Sequence, residues 1–199
     1  MITFFIDGKR NERLVGYFER RQSMNIFYLD RNPKIAAQMH CDKHVVKMIL
    51  ESAQMLCTAH RVLGGERYAD ETGLYKNAHK NHPSTIWTRS SDKNYMWLYQ
   101  LMVHLMEEYT YRYGKHHATE RLIEPLRVLP HLIEKTNFND PPQCMPAYCK
   151  GSDTVSAYQT YYILEKSRFA KWTKRPTPQF FIEKKDDQRT LLGVHGSET

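Results

Sequence analysis

The sequence contains no long run of apolar residues, and this absence excludes several classes of protein. No segment approaches the roughly 18 consecutive apolar residues that a membrane-spanning helix requires. Asp7, Lys9 and Arg10 interrupt the apolar stretch that a signal peptide would need. Four cysteines in 199 residues are too few for a disulfide framework, so we expect reduced thiols. These absences predict a cytoplasmic protein without membrane contact.

Motifs of the common nucleotide-binding and hydrolytic enzymes are also missing. The chain has no P-loop, no glycine-rich dinucleotide turn, no serine nucleophile elbow and no helix-turn-helix pattern. It does have an excess of positive charge, with 29 Lys and Arg residues against 22 Asp and Glu residues. Such an excess favours polyanionic partners through phosphate neutralisation and counterion release. Double-stranded DNA is the polyanion that we expect, bound by a monomer or a small homo-oligomer.

The helical spacing of apolar residues predicts a mainly α-helical fold, a single-domain bundle with a short extended segment at the N-terminus. The first long helix has Asp42 as its predicted N-cap and Gly64 at its end, and the second is closed by Gly114. A short helix is predicted to begin at about residue 33. Further helices are predicted over about 42–63, 83–87, 93–113, 119–128 and 153–172.

A short pattern occurs twice near the N-terminus. Met1–Asp7 and Met24–Asp30 are each a run of apolar and aromatic residues that ends in Asp, so each is a candidate β-strand. Residues 1–23 are interpreted as an N-terminal extension. Alternatively, the start codon was assigned too early and translation begins at Met24. The helical domain is then expected over 24–182, with the charged residues 183–199 as a flexible tail.

The first long helix has a polar face opposite its apolar face. A glutamate flanked by lysine and histidine on such a face can act as a base or stabilise a developing cation. The alternative is an ordinary solvated face on which Lys47 and Glu51 form an i,i+4 ion pair. The polar positions are His40, Lys43, His44, Lys47, Glu51, Gln54, Thr58 and Arg61.

Two groups of histidines suggest a possible zinc site. His40, Cys41 and His44 lie close together in the chain, and so do His79 and His82. Imidazole and thiolate are the ligands that zinc prefers. Neither spacing is a familiar zinc signature, so the interpretation without a metal is retained beside this one.

The C-terminal part of the chain alternates cationic and aromatic residues. Lys171, Trp172, Lys174 and Arg175 are predicted to contact DNA through phosphates and through stacking on a displaced base. The alternative is an amphipathic helix with a solvated cationic face. Under either interpretation the inward-facing side chains are expected to be Tyr158, Tyr162, Leu164 and Phe169.

Two segments resemble the pyrimidine-dimer DNA glycosylases, the endonuclease V family of T-even phages and their bacterial relatives. Residues 42–51, Asp-Lys-His-Val-Val-Lys-Met-Ile-Leu-Glu, resemble the first motif of that family, which ends in its catalytic glutamate. Residues 81–83, Asn-His-Pro, and the later helix that ends in Tyr113-Gly114 after Glu108 and Arg112 resemble a second segment. The chain also resembles a type of phage protein with His-Cys-Asp-Lys-His, Asn-His-Pro and Arg-Pro-x-Pro motifs.

The resemblance implies base excision, followed by cleavage of the DNA strand. Glu51 would stabilise the cationic sugar, and an amine would attack the sugar C1′ to form a Schiff base. In the family that amine is the α-amine of a processed N-terminus, and here Lys43 or Lys47 would replace it. His44 and His82 would orient the phosphate or sugar. Leu50 and Gln54 stand where the family has arginines.

The expected function is therefore that of a DNA repair enzyme, a glycosylase with AP-lyase activity on damaged or modified pyrimidines, with no cofactor. Phosphate contacts are expected from Arg61, Asn81 and Arg89 in addition to the C-terminal residues. Two alternatives remain open. One is a metal-dependent nucleotide- or DNA-modification enzyme that binds zinc through the two histidine groups, and the other is a non-catalytic DNA-binding protein.

Overall fold

The computed structural model describes residues 24–183 together with two short strands nearer the N-terminus. The strands are β1 (Phe5–Ile6) and β2 (Lys9–Arg10), which pair antiparallel with Phe5 opposite Arg10. β1 falls within the first predicted strand. The remainder of the predicted extension at 1–23 and the predicted tail beyond residue 183 lie outside the described residues.

The described part of the chain is mainly helical, which confirms the predicted fold class. No helix in it is both long enough and apolar enough to cross a membrane. The helices are α1 (Pro33–Met39), α2 (Asp42–Leu63), α3 (Glu66–Glu71), α4 (Pro83–Arg89), α5 (Asp92–Tyr113), α6 (Ile123–Arg127), α7 (Thr154–Tyr161) and α8 (179–183). Two 3-10 turns, Ala118–Leu122 and Ala147–Cys149, and one π-helical turn, Tyr162–Lys166, complete the set.

Local sequence signals fix most helix ends. The side chains of Asn32, His82 and Ser91 cap α1, α4 and α5 by accepting backbone N–H bonds, and Gly114 ends α5 with a φ of 65°. The prediction that Asp42 caps α2 is wrong. Asp42 is the first helical residue and follows Cys41, and its carboxylate binds groups elsewhere in the fold.

The core lies between the two long helices, α2 and α5, which pack along each other. α1 packs on α5, and α4 packs on α2. The segment 24–30 was predicted as a strand, and this is wrong: it pairs with no strand among the described residues and runs as a buried irregular segment through the core. Side chains satisfy part of its backbone, since Gln159 donates to the carbonyl of Leu29. Its buried apolar side chains hold the segment in the core.

The last long helix was predicted to end at about residue 172, but it ends earlier. α7 stops at Tyr161, and the π-helical turn that follows carries one extra residue per turn. Tyr162 begins that turn, four residues after Tyr158, and is fully buried, whereas Leu164 is exposed. The inward orientation of Tyr158 and Tyr162 is confirmed, and that of Leu164 is wrong. Phe169 packs partly buried against the core.

A buried arginine joins the ends of several helices. The Arg112 side chain on α5 has no exposed surface, and its guanidinium donates to Glu108 and to Asp42, both at 3.0 Å. It also donates to the backbone carbonyls of Gln38 and His40 at the end of α1. Each of the three guanidinium nitrogens therefore has an acceptor inside the protein, which is the condition under which a buried charge is tolerated.

Residues 171–178, which we call the strap, cross this network from the C-terminal side. The Thr173 amide and hydroxyl donate to the Asp42 carboxylate, and Arg175 donates to Glu108 at 2.6 Å. The Asp42 amide in turn donates to the carbonyl of Lys171. The strap therefore depends on the same two carboxylates that Arg112 binds.

We expect Arg112→Met to destabilise the protein by about 3–5 kcal/mol, because it leaves Glu108 and Asp42 as buried charges without their central partner. Arg127→Met is the matched control, since Arg127 has a side chain 69% exposed and should change stability by less than about 0.5 kcal/mol. Urea unfolding of both variants measures the difference. Equal stabilities would contradict the importance of the network.

Candidate functional site

The polar face of α2 is largely buried and is not an ordinary solvated helix face. His44 and Thr58 on this face are almost fully covered by other parts of the protein. Lys43 and Lys47 are exposed, and Glu51 lies at the boundary between them and the core. The spacing predicted which residues share this face, but the burial depends on elements distant in sequence.

Glu51 has the environment of a reactive carboxyl group. Lys47 lies 3.2 Å from its Oε1 atom, whereas its buried Oε2 atom has no hydrogen-bond partner in the described part of the protein. Burial raises the pKa of Glu51, and the charge of Lys47 opposes that increase. A carboxyl group with a raised pKa and one unsatisfied oxygen is suited to give and take protons.

His44 lies one turn before Lys47 and belongs to a buried aromatic cluster. Its Nδ1 atom lies 2.5 Å from the Tyr162 hydroxyl, and its ring stacks on Phe27 with centroids 4.2 Å apart. Burial lowers the pKa of His44 to about 2, assisted by the nearby charges of Lys166 and Lys47. The imidazole is therefore neutral, and its contacts hold the π-helical turn against α2. This position suits a positioning role better than direct contact with a sugar or phosphate.

Lys166 is a further amine near the start of α2. It lies at the end of the π-helical turn, with its Nζ atom 4.4 Å from the centre of the Tyr161 ring. Its charge contributes, as does that of Lys47, to the lowered pKa of His44. We call His44, Lys47 and Glu51 the Glu51 site.

Sequence reasoning gave no indication of the π-helical turn that ends at Lys166, because residue spacing does not show one. The basic and aromatic pattern of this region indicated cationic side chains but did not distinguish between them. The aromatic neighbours were visible in the sequence, and their packing against α2 was not. Lys43, which was predicted at the site, extends over the Phe169 ring at 4.9 Å.

The five residues of the alternative zinc site do not converge. Among residues 24–183, no group of three or more His, Cys, Asp or Glu side chains is placed to hold a metal ion. His79 follows Ala78, whose backbone bonds to Thr58, about 21 Å along α2 from His44 at 1.5 Å per residue. His82 caps α4 by accepting the Ser84 amide.

The remaining ligand candidates of that set are buried with His44. His40 lies under the end of α1, where its Nδ1 atom is 2.7 Å from the carbonyl of Ala36 and its Nε2 atom has no partner among the described residues. Burial lowers the pKa of His40 to about 4. Cys41 is fully buried, and burial raises the pKa of its thiol. Both side chains are therefore neutral parts of the core.

Arg61 does not belong to a DNA-binding surface. Its side chain is 1% exposed and pairs with Glu66 and Asp70, and it also donates to the carbonyls of Tyr75 and Leu74. These contacts fix α3 and the loop after it against the end of α2. The prediction of a phosphate contact placed Arg61 on a solvated face, and the fold covers that face.

Three predicted DNA contacts in the strap have structural partners instead. Trp172 donates its indole N–H to the carbonyl of Met39, Lys174 donates to the carbonyl of Tyr111, and Arg175 pairs with Glu108. The prediction that these side chains are free to contact DNA is therefore wrong, because each of them holds the strap against the helical bundle. Exposed predicted contacts are Lys171, Asn81 and the partly exposed Arg89, which donates to the carbonyl of Lys80.

The Glu51 site combines a carboxyl group that can transfer protons with the amine of Lys47. Such a set can perform acid–base chemistry or form an imine with an aldehyde or a sugar C1′. No protein-family model, curated protein or solved structure matches this chain.

We expect Glu51→Gln to stabilise the protein by on the order of 1 kcal/mol at pH 7, because it removes a buried charge with an unsatisfied oxygen. A rise of roughly 2–4 °C in the melting temperature would follow for a chain of this size. Glu107→Gln, at an exposed glutamate paired with His104, is the control and should leave the melting temperature unchanged. A lower melting temperature for Glu51→Gln would show that the carboxylate is structural.

Three buried histidines predict how stability depends on pH. Burial lowers the pKa of His40 and His60 to about 4 and that of His44 to about 2, all below the value of about 6.5 in the unfolded chain. Between these values the unfolded state binds more protons, so stability is fully present above about pH 6.5 and is lost as pH falls. Each histidine contributes up to about 1.4 kcal/mol per pH unit.

Urea unfolding at several values of pH between about 7 and 5 measures this slope. His44→Asn should reduce the slope, and His131→Asn, at an exposed histidine, should leave it unchanged. A stability that does not vary across this range would contradict the neutral state of the buried imidazoles.

Proposed function

We propose that this protein is a DNA glycosylase with AP-lyase activity that acts on damaged or modified pyrimidines in double-stranded DNA. The observation that supports this function best is the pair formed by Lys47 and Glu51. The pair places an amine 3.2 Å from a carboxyl group whose second oxygen has no partner among the described residues. A buried carboxyl oxygen without a partner favours the protonated acid, and a protonated acid can donate a proton to a leaving group.

The proposed reaction begins with extrusion of the target nucleotide, which costs least at a damaged base. An amine nitrogen forms a bond to C1′ while the bond from C1′ to the base breaks, and the electron pair leaves with the base. Protonated Glu51 supplies the proton that the departing base takes up, which its raised pKa favours. Loss of the amine proton and opening of the sugar ring then give the imine. Removal of a proton from C2′ finally expels the 3′ phosphate and cleaves the strand.

Charge around the site fits a phosphate backbone. Lys43 and Lys47 are exposed on consecutive turns of α2, on the same face as Glu51. Together with Lys171, Asn81 and Arg89 they are the phosphate contacts that we propose.

The resemblance of residues 42–51 to the first motif of the pyrimidine-dimer glycosylases supports the same role for Glu51. Leu50 and Gln54 replace two arginines of that family, and Leu50 is 40% exposed. The chain therefore lacks two cationic contacts beside its glutamate, and we expect its substrate preference to differ from that of the family.

Borohydride trapping on abasic and UV-irradiated duplexes tests the proposal, because borohydride reduces an imine to a stable covalent adduct. We expect wild-type protein to form an adduct and cleave the strand. Glu51→Gln should reduce cleavage by about 10²–10⁴-fold, the usual contribution of a general acid or base. Glu107→Gln should retain wild-type activity. Chains that begin at Met1 and at Met24 should both be compared, to separate an α-amine from a side-chain amine.

Failure to form any adduct or cleave any strand from either start would overturn the lyase function. If such a protein still bound DNA with a strong dependence on salt, and if Glu51→Gln did not alter that binding, the non-catalytic alternative would be favoured. Stoichiometric zinc detected by elemental analysis would favour the metal-dependent alternative instead.

A further inference from the structure

The exposed surface of α2 is confined to one short stripe. Of its 22 residues, all of which the structure describes, only Lys43, Val46, Lys47 and Leu50 are exposed. Their spacing of three and four residues places them side by side along one line of the helix surface. We call these four residues the α2 stripe. It contains two cations, two apolar side chains and no carboxylate, so it differs from an ordinary solvated helix face.

Leu50 is the member of the α2 stripe that lies beside the reactive carboxyl group. Leu50 and Glu51 are consecutive residues, so their Cα atoms are about 3.8 Å apart. At about 100° per residue, Lys47 lies between the two around the helix axis. The Lys47 Nζ atom is 3.2 Å from Glu51 Oε1. A duplex that brings a sugar to Glu51 and a phosphate to Lys47 therefore also meets Leu50.

The apolar half of the α2 stripe needs a partner that a phosphate backbone does not provide. Leu50 is 40% exposed and Val46 is 41% exposed, one helical turn apart. Phosphates can pair with the two lysines but cannot cover an apolar side chain, whereas the faces of unstacked bases can. Extrusion of a nucleotide opens such faces next to the sugar that the proposed reaction places at Glu51. Damaged DNA therefore matches both halves of the stripe.

We propose that Leu50 is a positioning residue that inserts into the base stack at the place that the target nucleotide has left. Val46 packs beside it one turn earlier, and Lys43 and Lys47 bind the flanking phosphates. The inserted side chain fills the space of the extruded base, so the nucleotide stays outside the stack while Glu51 acts on its sugar. This inference rests on the proposed function for its DNA target. It gives a role to the leucine that stands where the pyrimidine-dimer glycosylases have an arginine.

The test compares affinities for a duplex with one abasic position and for the same duplex undamaged, at one salt concentration. An abasic position leaves a gap in the stack that an inserted side chain can fill. We expect Leu50→Ala to weaken binding to the abasic duplex by roughly tenfold, through lost apolar burial, and binding to the undamaged duplex by less than about twofold. Leu50→Met keeps the apolar volume and should bind both duplexes as wild type does.

Leu132→Ala is the matched control, because it makes the same substitution at another exposed leucine. Leu132 is 66% exposed and follows His131, whose backbone lies against Gly64 at the other end of α2. Gly64 is about 21 Å from Leu50 along the helix at 1.5 Å per residue. Leu132→Ala should therefore leave both affinities unchanged. Leu50→Ala should melt within about 2 °C of wild type, which confirms that this surface variant is folded.

A second measurement follows the insertion itself. A fluorescent adenine analogue beside the abasic position is quenched while it is stacked, and insertion of a side chain partly unstacks it. At saturating protein we expect wild type and Leu50→Met to raise the fluorescence. Leu50→Ala should leave it at the level of the free duplex. Equal fluorescence with wild type and Leu50→Ala would overturn the insertion, because saturation removes any difference in affinity.

The outcomes separate this inference from the proposed function. Imine trapping and strand cleavage by both wild type and Leu50→Ala, with equal affinities for the abasic duplex, would overturn the insertion and leave the lyase function intact. Binding to the abasic duplex that depends on Leu50, without imine or cleavage, would support the insertion and overturn the lyase function. A wild-type dimer that Leu50→Ala dissociates, with no effect on DNA binding, would assign the α2 stripe to a second copy of the chain and overturn the insertion.

Discussion

The buried guanidinium of Arg112 determines how the ends of this bundle fit together. Its three nitrogens donate to two carboxylates and two backbone carbonyls that belong to α5, to the start of α2 and to the end of α1. The strap adds Thr173 and Arg175 to the same carboxylates. The start of α2, which carries the Glu51 site, is therefore fixed by electrostatic bonds at one end and by apolar packing along its length. A helix fixed in this way keeps a reactive side chain in one orientation without the support of a sheet or a disulfide.

Helix ends were predictable from the sequence because their causes are local. Asn32, His82, Ser91 and Gly114 act through bonds to residues two to four positions away, so a linear pattern contains the whole interaction. The polar face of α2 was predictable as a set of residues for the same reason.

The burial of that face was not predictable, because it depends on contacts with other segments of the chain, some of them far away in sequence. Tyr162 covers His44 from a separation of 118 residues, and the backbone of Ala78 covers Thr58 from a separation of 20. Nothing in the local sequence distinguishes Arg61 from an exposed arginine, yet its side chain is buried and forms ion pairs with Glu66 and Asp70 of α3. The single-residue insertion in the π-helical turn likewise leaves no mark in residue periodicity.

A π-helical turn holds one more residue than the α-helical turn that it replaces. Deletion of any one residue from 162–166 would let the chain continue as a regular helix with its backbone bonds intact. Every later residue would then rotate by about 100° around the helix axis. The strap follows this turn, so Thr173 and Arg175 would no longer face Asp42 and Glu108. The one extra residue is accordingly part of what closes the bundle on its C-terminal side.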